Sequence, residues 1–220
     1  MSAVISEDHI EQVLIQELVE LGYSYIHGGE ISPDGAQAER TYQEVVLKER
    51  LSAVIAKFNP SIPYDAQEEA LKKVLRADSP ELVMNNHTFH KYLTEGVEVE
   101  YRKGDRIVGD KVWLVDYQNP EQNEFLAVNQ FTIIEGNQNK RPDVILFVNG
   151  LPLVVIELKN ASDQNADVHA AFNQLQTYKN AIPSLFQYNA LLIVSDGWDA
   201  LYGSLTAPKQ FFLPWKSIDG

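Results

Sequence analysis

The chain has 220 residues, no cysteine, 45% hydrophobic residues and a formal net charge of −13. That is enough apolar material for one sizeable core, and the lack of cysteine excludes disulfides and thiolate metal sites. The acidity argues against a self-sufficient nucleic-acid binder, because phosphate binding is driven by basic faces that displace counterions. It favours a protein- or metal-binding role unless DNA affinity resides elsewhere in a larger assembly. The N-terminal stretch MSAVISEDHIEQ has no basic segment leading into an apolar one, and no apolar run approaches the ~18 residues of a membrane span. A cytoplasmic chain without a membrane partner is expected.

In chain order, residues 7–21 carry a helical apolar pattern, with Ser6 as N-cap and Gly22 just past the end. Residues 41–57 and 65–76 repeat that pattern. Asn59-Pro60 separates them, Ser79-Pro80 closes the second, and a short helix is expected near 85–94. From Val97 the texture changes to β-branched and aromatic runs (VEVEYR, RIVGDKVWLVDY, NEFLAVNQFTII, DVILFVNG, LPLVVIEL) broken by Gly, Pro and Asn. A helix over 167–182 and a strand at 190–195 follow. This order predicts an α/β fold, a mixed sheet with mainly antiparallel strands flanked by helices and preceded by a helical N-terminal segment. One domain over 1–220 is expected, with about 28–85 a helical insertion or cover.

The chemistry concentrates in RPDVILFVNGLPLVVIELKN, residues 141–160. Two apolar strands flank Asn149-Gly150, a strong hairpin signal. Glu157 and Lys159 are two apart on the second strand and share a face. The continuously apolar 153–156 implies a central strand, so a Glu and a Lys at its end are costly unless paired or metal-bound. An odd loop such as 149–151 pairs residues whose numbers sum to 300 and sets Asp143 opposite Glu157 on one face. A two-residue loop gives a sum of 299 and separates them, unless a bulge restores the register. Two carboxylates converging beside a lysine suit phosphodiester hydrolysis. The acids can hold Mg²⁺, with Mn²⁺ as a substitute, and the lysine can orient water or stabilise the charged phosphorus centre. A lysine beside such an ion is expected to have a lowered pKa. The bland alternative is an exposed strand-end ion pair of Glu157 and Lys159, with Asp143 a turn residue.

In the helix after the hairpin, Ala171, Leu175, Tyr178 and Ile182 form the stripe expected to be buried. Gln174 and Tyr178, four apart, are neighbours at its edge. Tyr178 can equally be a core aromatic and Gln174 a solvated flank.

Pro142-Asp143 with Glu157-x-Lys159 resembles the motif of the PD-(D/E)xK nuclease superfamily, and Gln174 with Tyr178 resembles the QxxxY motif of its RecB-like branch. Nearly the whole chain, most clearly 10–25, 97–133 and 141–160, is similar to the N-terminal region of the R (motor and endonuclease) subunit of type I restriction enzymes. The resemblance implies a restriction-endonuclease-like fold and a Mg²⁺-dependent endonuclease that cuts unmodified foreign double-stranded DNA within an ATP-dependent complex. It implies methyltransferase (modification) and specificity subunits as partners. It assigns Asp143 and Glu157 to the metal, with the Leu158 carbonyl as a further ligand, Lys159 to catalysis, and Gln174 and Tyr178 to DNA positioning. An acid on the first core helix often completes such sites, and Glu11, on the apolar face with Leu14 and Leu18, is a better candidate than Glu17. The sequence holds no Gly-rich Walker loop. ATP use is therefore expected only of motor domains absent from these residues, and the chain is expected to be a piece of a longer subunit. Two other readings compete: a catalytically silent docking module between motor and methyltransferase subunits, and a sensor or binding domain of unrelated fold.

Overall fold

Helix α1 (Glu7–Glu20) starts where Ser6 stops being helical: the Ser6 Oγ accepts from the backbone N–H of His9 at 3.2 Å, and Glu7 and Asp8 complement the positive end of the helix. Glu11, Ile15 and Leu18 form its buried stripe, so the helix turns an acid inward with its apolar face. This is a computed structural model, and it describes residues 6–160 and 168–216.

Strand β1 (Ser24–His27) follows, then helices α2 (Lys48–Phe58), α3 (Tyr64–Leu75) and α4 (Leu82–Glu95). The helix expected from residue 41 begins only at Lys48. Val45, Val46 and Leu47 are three consecutive buried residues, which one face of a helix cannot supply. The Glu44 carboxylate closes a turn onto the Thr41 N–H at 2.7 Å, and the Leu47 N–H is spent on the Gly150 carbonyl at 2.9 Å. The expected short helix near 85–94 is longer, starting at Leu82.

Strands β2 (Val97–Lys103) and β3 (Arg106–Val112) form a separate antiparallel ribbon, shorter than RIVGDKVWLVDY suggests. NEFLAVNQFTII splits into β4 (Phe125–Asn129) and β5 (Ile133–Glu135), because Gln130 takes a left-handed conformation (φ 54°). Strand β5 pairs with β6 (Gln138–Lys140). Then come β7 (Val144–Val148), β8 (Leu151–Leu158), α5 (Val168–Ala181), the short α6 (Pro183–Phe186), β9 (Leu191–Ser195), β10 (Ala200–Gly203) and β11 (Leu213–Pro214). Asp167, the expected first residue of α5, lies outside the described residues.

The main sheet has seven strands in the order β1-β4-β7-β8-β9-β10-β11. It is mixed: β1 with β4 and β8 with β9 are parallel, the other pairs antiparallel. The β8–β9 pair needs a crossover, and α5 lies on that connection. Strand β8 is central and buried almost throughout, as its unbroken apolar run requires. Ile145 and Val155, opposite one another, join a large core built with α2, α3, α4 and α5. Val144 and Ile156 join a smaller one capped by Ile15 and Leu18 of α1. Helices thus cover both sheet faces, the expected α/β architecture with its N-terminal helix.

The β7–β8 turn is the two-residue Asn149-Gly150, not the odd loop considered from the sequence. Val148 pairs with Leu151 and Phe147 with Pro152, then the register shifts and Leu146 pairs with Val154. Leu153 is the extra residue of a β-bulge. Beyond it the pairs sum to 300, as in Val144 with Ile156. Asn149 (φ 55°) and Gly150 (φ 80°) both need left-handed backbone, and a Cβ on Gly150 would lie 2.6 Å from the Leu47 carbonyl oxygen.

Asn149 is fully buried and joins three segments: its Oδ1 accepts from Glu124 N–H at 2.8 Å, and its Nδ2 donates to the Leu114 carbonyl at 2.9 Å and to Asn123 Oδ1 at 2.8 Å. Asn149→Ala should cost roughly 2–4 kcal/mol, since it strands buried polar groups as well as losing the turn preference. Urea unfolding checks this, and Asn149→Gly should recover only the backbone part.

Candidate active site

Continuing the β7–β8 register by one residue sets Asp143 opposite Glu157 at the end of the sheet remote from the Asn149 turn. The Asp143 Oδ2 accepts the Leu158 N–H at 2.7 Å. Its carbonyl accepts the N–H of Gln130 at 2.9 Å, so the backbone of Asp143 is tied to β4's end and its carboxylate to β8. Pro142 before it is buried and adds a fixed φ to the approach.

Glu157 has no solvent exposure. One oxygen, Oε1, accepts from Lys159 Nζ at 3.1 Å, and the other, Oε2, is buried with no hydrogen-bond partner among the described residues. The Lys159 side chain, 15% exposed, curls back along the strand end. Its Nζ donates to Glu7 Oε1 at 3.0 Å, Glu157 Oε1 at 3.1 Å and the Leu158 carbonyl at 2.7 Å. An exposed strand-end ion pair is therefore excluded, because both charges lie inside the protein surface. Glu7, at the start of α1, is a member of the cluster that sequence reasoning missed. Its place follows from how α1 crosses the sheet end, and no local pattern marks it.

Burial pushes the Glu157 carboxyl up to about 8, and the like charge of Asp143 adds to that against the attraction of Lys159. Burial also pushes Asp143 up to about 6, opposed by the Leu158 N–H and Lys159. For Lys159 burial works against the charge, but Glu157, Glu7 and Asp143 together outweigh it and leave its pKa raised. The lowered lysine pKa expected from the sequence presupposed a bound divalent ion.

Glu11 is buried on the α1 face toward the sheet and its field reaches Asp143. Its oxygens are held by amides: Asn129 Nδ2 donates to Oε1 at 2.7 Å and Gln130 Nε2 to Oε2 at 2.5 Å. Tyr25 donates in turn to Asn129 Oδ1 at 3.0 Å. Glu17 is exposed. The amide pair is a second feature the sequence reading passed over, although two polar residues ending the apolar run FLAV were a visible signal.

On α5, Ala171, Leu175, Tyr178 and the following Ile182 are buried as expected. Gln174 Nε2 donates to the Tyr178 hydroxyl at 2.7 Å, and that hydroxyl is 3.4 Å from the Arg141 carbonyl it donates to. Burial pushes the Tyr178 phenol up to about 12, aided by Glu157. The pair thus straps α5 to the segment that delivers Asp143, and Tyr178 is both a core aromatic and a neighbour of the acids.

The donor set fits a hard divalent cation. Two carboxylates held in low-dielectric surroundings prefer their protons, and Glu157 Oε2 has a free acceptor where every other oxygen at the site has a donor or an opening to solvent. Among the described residues, no group of three or more His, Asp or Glu gathers around one point. Two acids would leave such an ion several water ligands.

Both acid pKa values lie above their ordinary ones, so the stability they contribute is complete below pH about 4 and is lost as pH rises through about 6 and then 8. In chelator, the chain should therefore melt lower at pH 8.5 than at pH 5. Glu157→Gln should raise the pH 8.5 melting temperature by roughly 3–8 °C and change it little at pH 5. Differential scanning calorimetry at the two pH values reads this directly, and an equal shift at both would contradict it.

Residues 4–211 match a family model described as the N terminus of type I restriction enzyme R proteins. The chain is 43% identical over 218 residues to the type I restriction enzyme HindI endonuclease subunit of Haemophilus influenzae, covering 98% of this chain and 21% of that protein. It is 27% identical over 227 residues to the EcoprrI endonuclease subunit of Escherichia coli, covering 97% of this chain and 65% of that sequence. The chain spans about a fifth of the length of the first of these relatives. The chain therefore belongs to the N-terminal family of type I restriction enzyme R proteins.

Proposed function

We propose that this chain is the Mg²⁺-dependent endonuclease domain of a type I restriction complex, hydrolysing phosphodiester bonds of unmodified foreign DNA at Asp143, Glu157 and Lys159. The observation that carries the reading is the buried, unpartnered Glu157 Oε2 beside the Asp143 carboxylate, with a lysine ammonium in contact. A surface or purely structural pair has no use for such an oxygen, which costs free energy until a cation meets it. Asp143 and Glu157 are the residues that would hold the metal, which when bound lowers the pKa of water and neutralises charge developing on phosphate.

The protein's own groups then divide the work. The Leu158 N–H fixes one Asp143 oxygen, so that carboxylate meets its ligand in a set orientation. Lys159, whose ammonium is satisfied by Glu7, Glu157 and Leu158, is delivered to the reacting phosphate by exchanging one of these acceptors for it. Gln174 and Tyr178 hold the Arg141 carbonyl and so the approach to Asp143, and they position DNA near the cut. Glu11 acts as a supporting acid through Gln130, whose N–H holds the Asp143 backbone. ATP use and DNA translocation belong to motor domains, and modification and specificity subunits are the partners. No helix among the described residues is long and apolar enough to cross a membrane.

Three measurements on matched variants test this. Mn²⁺ titration of the chain should show one site that Asp143→Ala abolishes and Lys159→Ala leaves in place. In the intact complex, Lys159→Ala should lower DNA cleavage roughly 100-fold or more while ATP hydrolysis persists, because its work is on the transition state. Near-normal cleavage by Lys159→Ala, or no Mn²⁺ binding by the unaltered chain, would refute the assignment and favour a docking module.

A further inference from the structure

Beside the candidate site, between α5 and the end of β6 with the Arg141 that follows it, runs an open groove of about 530 Å³. Its lining is Asn139, Lys140 and Arg141 from one side and Ala170, Asn173, Gln174, Thr177 and the buried Tyr178 of α5 from the other. The chain carries 31 acidic residues, yet among the described residues none that lines the groove is acidic, and neither is any residue of α5 (Val168–Ala181). On α5 the exposed side chains at Asn173 and Thr177 are neutral and short. The hairpin's own acid, Glu135, is turned away and consumed by Ser184, whose N–H and hydroxyl donate to it at 3.1 and 2.6 Å. Lys140 and the exposed Arg141 stand within ion-pair distance of no carboxylate among the described residues. What sets this place apart from other cation pairs such as Arg102-Lys103 is that Lys140 and Arg141 line a groove whose described walls hold no acid, next to the acid pair of the candidate site.

We propose that this groove binds the phosphodiester backbone of the DNA strand leading into the cut site, with Lys140 and Arg141 meeting phosphates and Asn139, Asn173 and Thr177 donating to phosphate or sugar oxygens. This rests on the nuclease reading for its substrate but assigns residues that reading does not use. Two features support a polyanion over a protein partner. The lining is polar donors and cations with one alanine and one buried aromatic, where a protein interface would present apolar anchors. Arg141 is two residues from Asp143, at most about 7 Å along the chain, so phosphates next to the scissile one fall within its reach. The arrangement also offers a way for a chain of charge −13 to accept DNA: the described residues along this track carry cations and neutral donors and no acid.

The test is binding of a fluorescent 20-base-pair duplex to the chain in chelator at low ionic strength, over a salt series. Lys140→Ala with Arg141→Ala should weaken binding about tenfold or more and lower the salt slope by roughly 0.9 per cation removed. Asn173→Asp with Thr177→Glu, both exposed positions, should weaken it comparably by placing acids in the channel. Lys103→Ala with Arg106→Ala, which removes the same charge at the tip of the β2–β3 ribbon, should change affinity less than twofold. Mn²⁺ affinity should be unchanged in all three. Equal losses from the groove and ribbon variants would reduce the effect to net charge, and unchanged affinity in the groove variants, or no binding by the unaltered chain, would overturn the proposal. Either result leaves the nuclease assignment standing if Asp143→Ala still abolishes Mn²⁺ binding. Loss of DNA affinity in the groove variants of a chain that binds no Mn²⁺ would support the groove and sink the nuclease reading.

Discussion

A carboxylate with no solvent exposure sits at the end of the most buried strand of the sheet, and much of the molecule is arranged around Glu157. Burying it charged is expensive, so the surroundings either neutralise it or wait for a cation. Lys159 folds back to reach one oxygen, and Glu7 at the start of α1 supplies that lysine with a second acceptor. Asp143 is pinned by the Leu158 N–H and by Gln130. The second oxygen of Glu157 is left over. A structure selected only for stability would remove it, since an apolar or amide side chain there would be less costly.

Two carboxylates face each other only because strand register is corrected in mid-hairpin. A tight Asn-Gly turn starts the pairing with the wrong parity, and the Leu153 bulge shifts it by one residue before the site is reached. A slip of one residue would send Asp143 to the α1 face while Glu157 stayed on the α5 face. The buried Asn149 holds the turn at one end, and the tie from Gln130 to Asp143 holds β7 at the other. The facing of the two acids at one sheet end thus depends on backbone geometry at the opposite one.

Charge is distributed with similar economy. The acids that number 31 in the chain are spread over helices and loops, several in ion pairs such as Glu39 and Glu124 with Arg50. Helix α5 carries none, and it is the helix that closes over the acid pair through Tyr178. Net charge alone therefore misleads about what the surface next to the site can accept, because the field a ligand meets is set by nearby groups more than by the total.

Much was legible from local pattern. Helix α1 with its Ser6 cap, the buried stripe of α5 and the central character of β8 follow from short-range periodicity, and residue chemistry marked Asp143, Glu157 and Lys159 as the candidate cluster. Each of these depends on neighbours along the chain. The sequence also carried the family, which the comparisons bear out. What it could not decide was anything set by distant partners. Residues 41–47 read as helix but form turns and irregular backbone, because Glu44 folds back on Thr41 and Leu47 bonds Gly150, a contact over a hundred residues away. The hairpin's parity rested on a bulge that no residue type announces. Glu7, Asn129 and Gln130 enter the site only because α1 and the end of β4 meet there. The physical reason is the same in each case: periodicity records which face of an element is apolar, whereas packing between elements decides which polar groups on those faces come together.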